Sequence, residues 1–515
     1  MRLVEFHPLG PYRNLPSRPV RFTLEPENSE DNACSIRFLV GPNGVGKTNL
    51  LRFLADIFLA LEEDYRGHRG DSPAYSTPYR LTYQLHGETV TIRSNGQGRS
   101  GVQFTLNGEE RDPGDIPARD RILPQALMVF TSGDVAPWQS LFSPLMLPEA
   151  PPDEVDEFDA ETLRRDEEQV PQFMDADELI RNSQQVVPPD LTLEDELTQH
   201  SPRRSYFTRQ EQLPFALLAA LLHHQAHPDN TQSPFVDILR DVNVRLVSFT
   251  LRYLPHVWAL YPGQRRLLRR LFDLATVKLQ EGDEQVWIFD LKALEPETGQ
   301  TILACLADDP LNEPFQFFQA LAAMDQKGIL KGLDLVANYR PPGAADDEWC
   351  TLLTQHLSDG ELAFLSRMAL VYLLREDECL FLLDEPETHF NDDWKRNLVD
   401  SIEQALLQTN SEVILTSHAS IVLTDAFSDE IILLTPEGQE PIVPLTFAAE
   451  QGEPLRMVFG AERSVGRRAM RRIEAAMASD DSEALEALLQ QVGPGYYRFQ
   501  IVKELQRRVP PDQSS

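Results

Sequence analysis

Residues 36–58 constrain this chain more than any other stretch. Ile36, Phe38, Leu39 and Val40 form an apolar run that reads as a buried strand. Gly41-Pro42-Asn43-Gly44-Val45-Gly46-Lys47-Thr48 follows at once and fits the pattern G-x-x-x-x-G-K-[ST]. Behind it, Leu50, Leu51, Phe53, Leu54, Ile57 and Phe58 recur at helical spacing, so strand, glycine loop and helix come in the order a phosphate-binding loop needs. The glycines let successive backbone N–H groups converge on phosphate oxygens, and the helix N-terminus adds partial positive charge. Lys47 is expected to reach the β- and γ-phosphates and the Thr48 hydroxyl to ligate Mg²⁺. Asn43, Gly44, Gly46 and Asn49 complete the expected ATP-binding loop.

At 515 residues the chain is long enough for two to four domains around a large core. Its 81 acidic residues against 47 basic ones give a formal charge of −34, which argues against a surface that coats nucleic acid uniformly. Cys34, Cys305, Cys350 and Cys379 stand far apart without a C-x-x-C pair, so they read as small apolar residues in a reducing compartment. The opening Met1-Arg2-Leu3-Val4-Glu5-Phe6 lacks an apolar signal core, and no stretch approaches 18 apolar residues. A cytoplasmic location is expected.

Around the loop, Leu3 to Phe6 and Val20 to Leu24 alternate as two short strands. The turn between them holds Tyr12 and Arg13, an aromatic and a cation that either flank a nucleotide base or decorate a surface turn. From Tyr79 to Leu106 the alternation resumes, punctuated by His86-Gly87-Glu88 and Asn107-Gly108-Glu109 as hairpin turns. Ala126 to Phe130 returns to a buried strand. Residues 149–168 then carry ten Asp/Glu and a Pro-Pro pair, an acidic loop signature. Helices are expected at Phe215–Leu222, Arg265–Phe272 and Phe315–Met324, with strands at Val244–Leu251 and Val286–Leu291. The pattern divides the chain into an N-terminal part at 1–142, an insertion at 143–329, a second core part at 330–445 and a helical segment at 446–515. The class is α/β: a parallel core sheet, an antiparallel β-lobe and a mostly helical insertion.

Cys379-Leu380-Phe381-Leu382-Leu383-Asp384-Glu385 is a wholly apolar strand closing on two carboxylates. Beside a phosphate loop, Asp384 can hold Mg²⁺ through water, and Glu385 can polarise the water that attacks the γ-phosphate. A further strand, Val413 to Thr416, ends at Ser417-His418 and puts a histidine on the same edge of a parallel sheet, where ligand groups belong.

Together these elements resemble the ABC-type ATPases. Leu357-Ser358-Asp359-Gly360-Glu361 resembles their signature motif, Leu382-Leu383-Asp384-Glu385-Pro386-Glu387 their extended Walker B and Thr416-Ser417-His418 their switch histidine. The likeness is to the SMC, RecF and OLD group, and within it to PtuA-like ATPases of the Septu and retron antiphage systems. It covers about 1–140 and 330–445, and reaches the insertion poorly. It implies an ABC-type ATPase head that hydrolyses ATP slowly with Mg²⁺, with Glu385 and His418 catalytic. It further implies a head-to-tail dimer in which Ser358 and Gly360 cap the γ-phosphate of the other subunit. Ser358 is equally suited to cap the N-terminus of the following helix. The implied role is to hold a separately encoded nuclease, HNH-type, with no nuclease chemistry in this chain. A RecF-like DNA-repair or chromosome-maintenance ATPase is the alternative. The family's Mg²⁺-sensing glutamine has no clear counterpart after Phe130. Arg265, Arg266, Arg269 and Arg270, like Arg467, Arg468, Arg471 and Arg472, fall on one helix face. Each set is either a phosphate-gripping stripe or a solvated surface.

Overall fold

The computed structural model describes residues 1–22, 34–65, 72–111, 121–146, 204–227, 244–254, 262–307, 314–326, 328–339, 349–353, 359–374, 377–407, 409–440, 446–450, 452, 454, 458, 465–479 and 481–508. The acidic stretch 149–168 and Ser358 lie outside them. The chain divides into two compact units, Met1–Ala448 and Ala449–Ser515.

The first unit is built on a seven-stranded sheet. Its order is Gly438–Glu440, Ile431–Thr435, Ser35–Val40, Glu412–Thr416, Leu380–Asp384, Leu127–Thr131, Ser205–Thr208, parallel throughout except for the Gly438–Glu440 edge. Leu380–Asp384, Glu412–Thr416 and Leu127–Thr131 are buried at every position, which is why their interiors read as apolar runs. The helix Lys47–Tyr65 packs against these strands. On its other side it meets a six-stranded antiparallel sheet: Phe53 lies edge-on to Phe6 at 5.2 Å and to Tyr79 at 5.5 Å, and Phe58 to Tyr83 at 5.5 Å. One apolar helix thus cements both sheets. The hairpins of the antiparallel sheet turn through His86-Gly87 and Asn107-Gly108, all four at positive φ between 50° and 84°, as a two-residue type I′ turn requires.

A third sheet is antiparallel, in the order Val277–Glu281, Glu284–Asp290, Val244–Tyr253, Leu330–Tyr339, Cys350–Leu353. Helices Leu213–Ala226, Pro262–Leu274 and Pro314–Gln326 accompany it, each where helical periodicity was expected. The boundaries at 142/143 and 329/330 cut across this architecture. Ser205–Thr208 extends the parallel sheet, and Leu330–Tyr339 pairs along its whole length with Val244–Tyr253. Motif positions set those boundaries, whereas hydrogen-bond register decides which strands belong together. Helix Leu213–Ala226 packs on the helix Asp359–Leu373, and His223 lies 3.0 Å from the Tyr372 hydroxyl.

The second unit holds helices Arg467–Ala478, Ser482–Leu489 and Tyr496–Arg508 around a small core of Ile473, Leu485 and Ile501. Arg467, Arg468, Arg471 and Arg472 are all exposed on the first of these. The side chains of Arg265 and Arg266 lie outside the described residues; Arg269 is exposed and Arg270 half-buried. Cys305 and Cys379 are buried, whereas Cys350 is exposed; all four cysteines are free thiols. No helix among the described residues is long and apolar enough to cross a membrane.

Candidate functional site

Parallel strands end together, and here two of them end in hydroxyls that flank the carboxylate ending the strand between them. Asp384 is buried, and it sits where Leu380–Asp384 stops. Thr416 Oγ1 donates to its Oδ1 at 2.7 Å from one neighbouring strand, and Thr131 Oγ1 to its Oδ2 at 3.2 Å from the other. From the loop, Thr48 Oγ1 reaches both carboxylate oxygens at 3.1 Å. The structure therefore brings Thr48 and Asp384 together as paired hard oxygen donors, a set suited to Mg²⁺, which prefers few protein ligands and retained water. The sequence alone assigns Thr131 and Thr416 no role of their own beside Asp384. Their signal was a threonine in the same register as Asp384 at the end of each flanking apolar strand.

The glycine loop has the form that phosphate cradling needs. Gly44 and Gly46 sit at φ 82° and 105°, in the left-handed region. A Cβ on Gly41 would lie 2.2 Å from the Leu434 carbonyl oxygen, so only glycine lets the loop leave the sheet here. Lys47 Nζ donates to the carbonyls of Gly41 at 2.8 Å and Pro42 at 3.2 Å, which holds it across the loop. Burial lowers the Lys47 pKa, with Glu385 and Asp384 opposing the shift. Asn14 Nδ2 donates to the Gly44 carbonyl at 2.5 Å, and Asn49 Nδ2 donates to Asn14 Oδ1, bracing the loop from outside. Asn43 is exposed. Tyr12 is not available to a base: it is 8% exposed and stacks on Phe53 at 4.1 Å, a core residue of the turn. The neighbouring Asn14 touches the loop instead.

Glu385 takes φ 52°, a strained setting for a residue with a side chain. Its N–H is tied to Thr416 through Oγ1 at 3.0 Å and the carbonyl at 3.2 Å. Its carboxylate stands 3.4 Å from His418 Nε2. Burial and then Lys47 lower the His418 pKa below the ordinary histidine value, and Glu385 and Asp384 oppose them. The shift favours the neutral imidazole, which can accept or donate one hydrogen bond at a reacting water or phosphate.

Two residues beyond Glu385, Glu387 is buried beneath this edge. Its Oε1 accepts from Ser417 Oγ at 2.6 Å and from His418 N at 3.1 Å, so it fixes the backbone that presents the histidine. Burial raises its pKa, and these hydrogen bonds oppose the rise. Arg367, on the helix Asp359–Leu373, donates to the Pro386 and Thr388 carbonyls and lies over the rings of Phe130 at 4.9 Å and Phe390 at 4.8 Å. Gly360 opens the same helix, and a Cβ there would lie 2.8 Å from the His389 carbonyl oxygen. Close helix–loop approach within one subunit thus accounts for this glycine, independently of any contact to a second subunit. In the loop after Thr131, Ser132 N donates to the Asp384 carbonyl at 3.1 Å, while Ser132 Oγ is buried with no hydrogen-bond partner among the described residues. Gln139 lies on the following helix Ala136–Met146.

No protein-family model matches the chain, and no curated protein does. Among solved structures it is similar to an Smc head bound to the C-winged helix domain of ScpA, with 12% identity, 86% of this chain and 96% of that chain covered, and a TM-score of 0.35. It is also similar to the SMC head domain from Thermotoga maritima, with 14% identity, 86% and 100% covered, and a TM-score of 0.32. A third is an Smc head domain with an extended coiled coil bound to the C-terminal domain of ScpA derived from Pyrococcus furiosus, with 12% identity, 86% and 96% covered, and a TM-score of 0.31. These values are too low to bear on function, which rests on the site's own geometry.

Proposed function

We propose that the chain is a Mg²⁺-dependent ATPase of the ABC type whose turnover is slow and regulatory. The observation that carries this reading is the placement of Asp384 and Glu385: one carboxylate 3.1 Å from the Thr48 hydroxyl of a glycine loop, the next 3.4 Å from His418. Thr48 and Asp384 would hold Mg²⁺, which supplies positive charge at the β- and γ-phosphates. Lys47 and the loop N–H groups bind and orient the nucleotide. Glu385 takes the proton of the attacking water, and His418 offers one hydrogen bond at the site of charge development. Glu387 keeps His418 in place.

Ser358 and Gly360 are proposed to complete the site of a second copy in a head-to-tail dimer. The motif resemblance extends the reading to an antiphage complex in which the nucleotide state of this dimer controls a separately encoded HNH-type nuclease. A ligand that binds one state better biases such a dimer by its differential affinity. The decisive variant is Glu385→Gln, which keeps the side chain's size and removes the base. It is expected to bind ATP with little change and to lose turnover by about 10²–10⁴-fold, the usual contribution of a general base. Unchanged hydrolysis removes Glu385 from the role. Co-purification with the product of an adjacent nuclease gene tests the larger reading. Tight duplex binding by the chain alone at physiological salt replaces it with direct action on DNA.

A further inference from the structure

The outer face of the six-stranded antiparallel sheet carries a polar row with two opposed arginines that nothing in the site above uses. His7, Arg80, Arg93 and Gln103 are direct cross-strand partners on four successive strands: His7 opposes Arg80, Arg80 opposes Arg93, and Arg93 opposes Gln103. Directly opposed side chains have Cβ atoms only about 4.5–5.5 Å apart, and like charges so placed destabilise a sheet. Among the described residues, neither guanidinium has an ion-pair or hydrogen-bond partner. Glu5 of an adjacent row, which opposes Thr82, is engaged by Arg21 at 3.2 Å. Asp64 is engaged by Arg99 at 3.0 Å. In a chain with a formal charge of −34, two opposed and uncompensated arginines are an expensive arrangement to keep for solvation alone.

The row lines a hollow of about 570 Å³, whose wall also includes Leu9, 52% exposed, and Asn95. The rim is held firmly. Asn95 Oδ1 accepts from Gln97 N at 2.9 Å, and Gly96, at φ 76°, presses on Pro78 so closely that a Cβ would lie 2.9 Å from its ring. Tyr79 and Leu81, the neighbours of Arg80, point to the opposite face, where Tyr79 meets Phe53 of the helix that follows the glycine loop. The hollow therefore opens away from the ATPase site. Its volume falls within the range of small-molecule sites, about 300–1,000 Å³. Guanidiniums and an amide supply the donors a phosphate needs, and Leu9 supplies an apolar wall. The chain's net negative charge repels a long polyanion more than a single small one.

We propose that this hollow is a second anion site that binds a small phosphomonoester of mononucleotide size through Arg80 and Arg93. It stands independently of the proposed ATPase activity. The probes are AMP, inorganic phosphate, adenosine and a 5′-phosphorylated oligothymidylate, titrated calorimetrically into the full chain and into its Lys47→Ala variant. AMP is expected to bind both proteins, phosphate to compete with it, and adenosine not to bind. In the Arg80→Gln/Arg93→Gln double variant AMP affinity should fall roughly tenfold or more. That variant's ligand-free melting temperature should hold or rise, because the like-charge opposition is gone. Its ATP turnover should be unchanged. Equal AMP affinity with and without the two arginines overturns the proposal, as does the absence of AMP binding at millimolar concentration. Binding of the oligonucleotide alone makes the face a nucleic-acid surface and overturns it too.

Discussion

The parallel and antiparallel sheets of the first unit share one helix as their common filling, yet they place polar groups in opposite ways. In the three central strands of the parallel sheet, Leu380–Asp384, Glu412–Thr416 and Leu127–Thr131, every residue is buried and polarity is confined to the strand ends, with Asp384, Thr131 and Thr416 meeting at one of them. In the antiparallel sheet, strand Tyr79–Leu85 alternates buried and accessible positions, so polarity is spread over one whole face. A strand-end cluster is cooperative, since each group satisfies the next and the loss of one strands the others. A face of cross-strand rows is a set of separate pairs. The parallel sheet is thus the fragile partner and the antiparallel sheet the tolerant one.

The sharpest stability test of that contrast lies at Glu387. Replacing it by alanine leaves Ser417 Oγ and the His418 N–H without their acceptor in a buried place. Each orphaned donor costs about 1–3 kcal/mol, and relief of the carboxylate's own burial offsets part of the sum, so Glu387→Ala should lose about 2–4 kcal/mol in chemical denaturation. Glu387→Gln, which keeps an acceptor, should recover most of it and restore turnover. On the antiparallel face Arg93→Gln should stay within about 0.5 kcal/mol of the parent. Equal losses at Glu387 and Arg93 would break the comparison.

A smaller effect is expected from Gly360→Ala. The added methyl meets the His389 carbonyl oxygen at 2.8 Å, a backbone atom that cannot rotate away. Overpacking of this kind typically costs about 1–3 kcal/mol. If Gly360 serves only helix–loop packing, the variant's turnover per folded molecule is preserved. If it also serves the partner's nucleotide, turnover falls further than stability does. The ratio of the two losses separates the readings.

Legibility in the sequence follows the same division. The buried strands could be read because a strand covered on both faces is an apolar run with nowhere to put a charge except its end. Asp384, Glu385, His418 and the glycine loop all sit at such ends or directly beyond them. Thr131 and Thr416 were passed over because a threonine at a strand end is unremarkable until register aligns it with Asp384. Glu387 looked like part of a motif, and only the fold shows it buried beneath Ser417. Arg80 and Arg93 occupy alternating positions that read as ordinary solvated residues, and their opposition depends on hairpin register. Tyr12 misled because burial, not residue type, decides whether a ring meets a base. The insertion boundary failed at Leu330 since pairing with Val244–Tyr253 is a contact across about ninety residues, and local pattern does not reach that far.

The gentlest test uses pH at the other end of the parallel sheet. Glu412 begins the strand that Thr416 ends, is wholly buried, and accepts a hydrogen bond from Leu3 N, so it joins the parallel sheet to the antiparallel one. Burial pushes its carboxyl up to about 7, and the Leu3 N–H and Arg37 only partly oppose the rise. In the unfolded chain the group titrates near 4.5. Between those values the folded chain holds a proton that the unfolded chain has released, so stability is greater at the acid end of the window. It declines as pH rises from about 4.5 to about 7, and above that the cost of the buried charge is present in full. Glu412→Gln keeps an amide oxygen for Leu3 and has nothing to ionise. Its denaturation midpoint should change less across this window than the parent's, and it should be the more stable protein at pH 8. Asp56, raised to about 6 by burial, contributes a similar slope to both proteins and cancels in the comparison. Parallel pH profiles for parent and variant would mean that Glu412 is already charged in the fold, and the link between the two sheets would then be an ionised one.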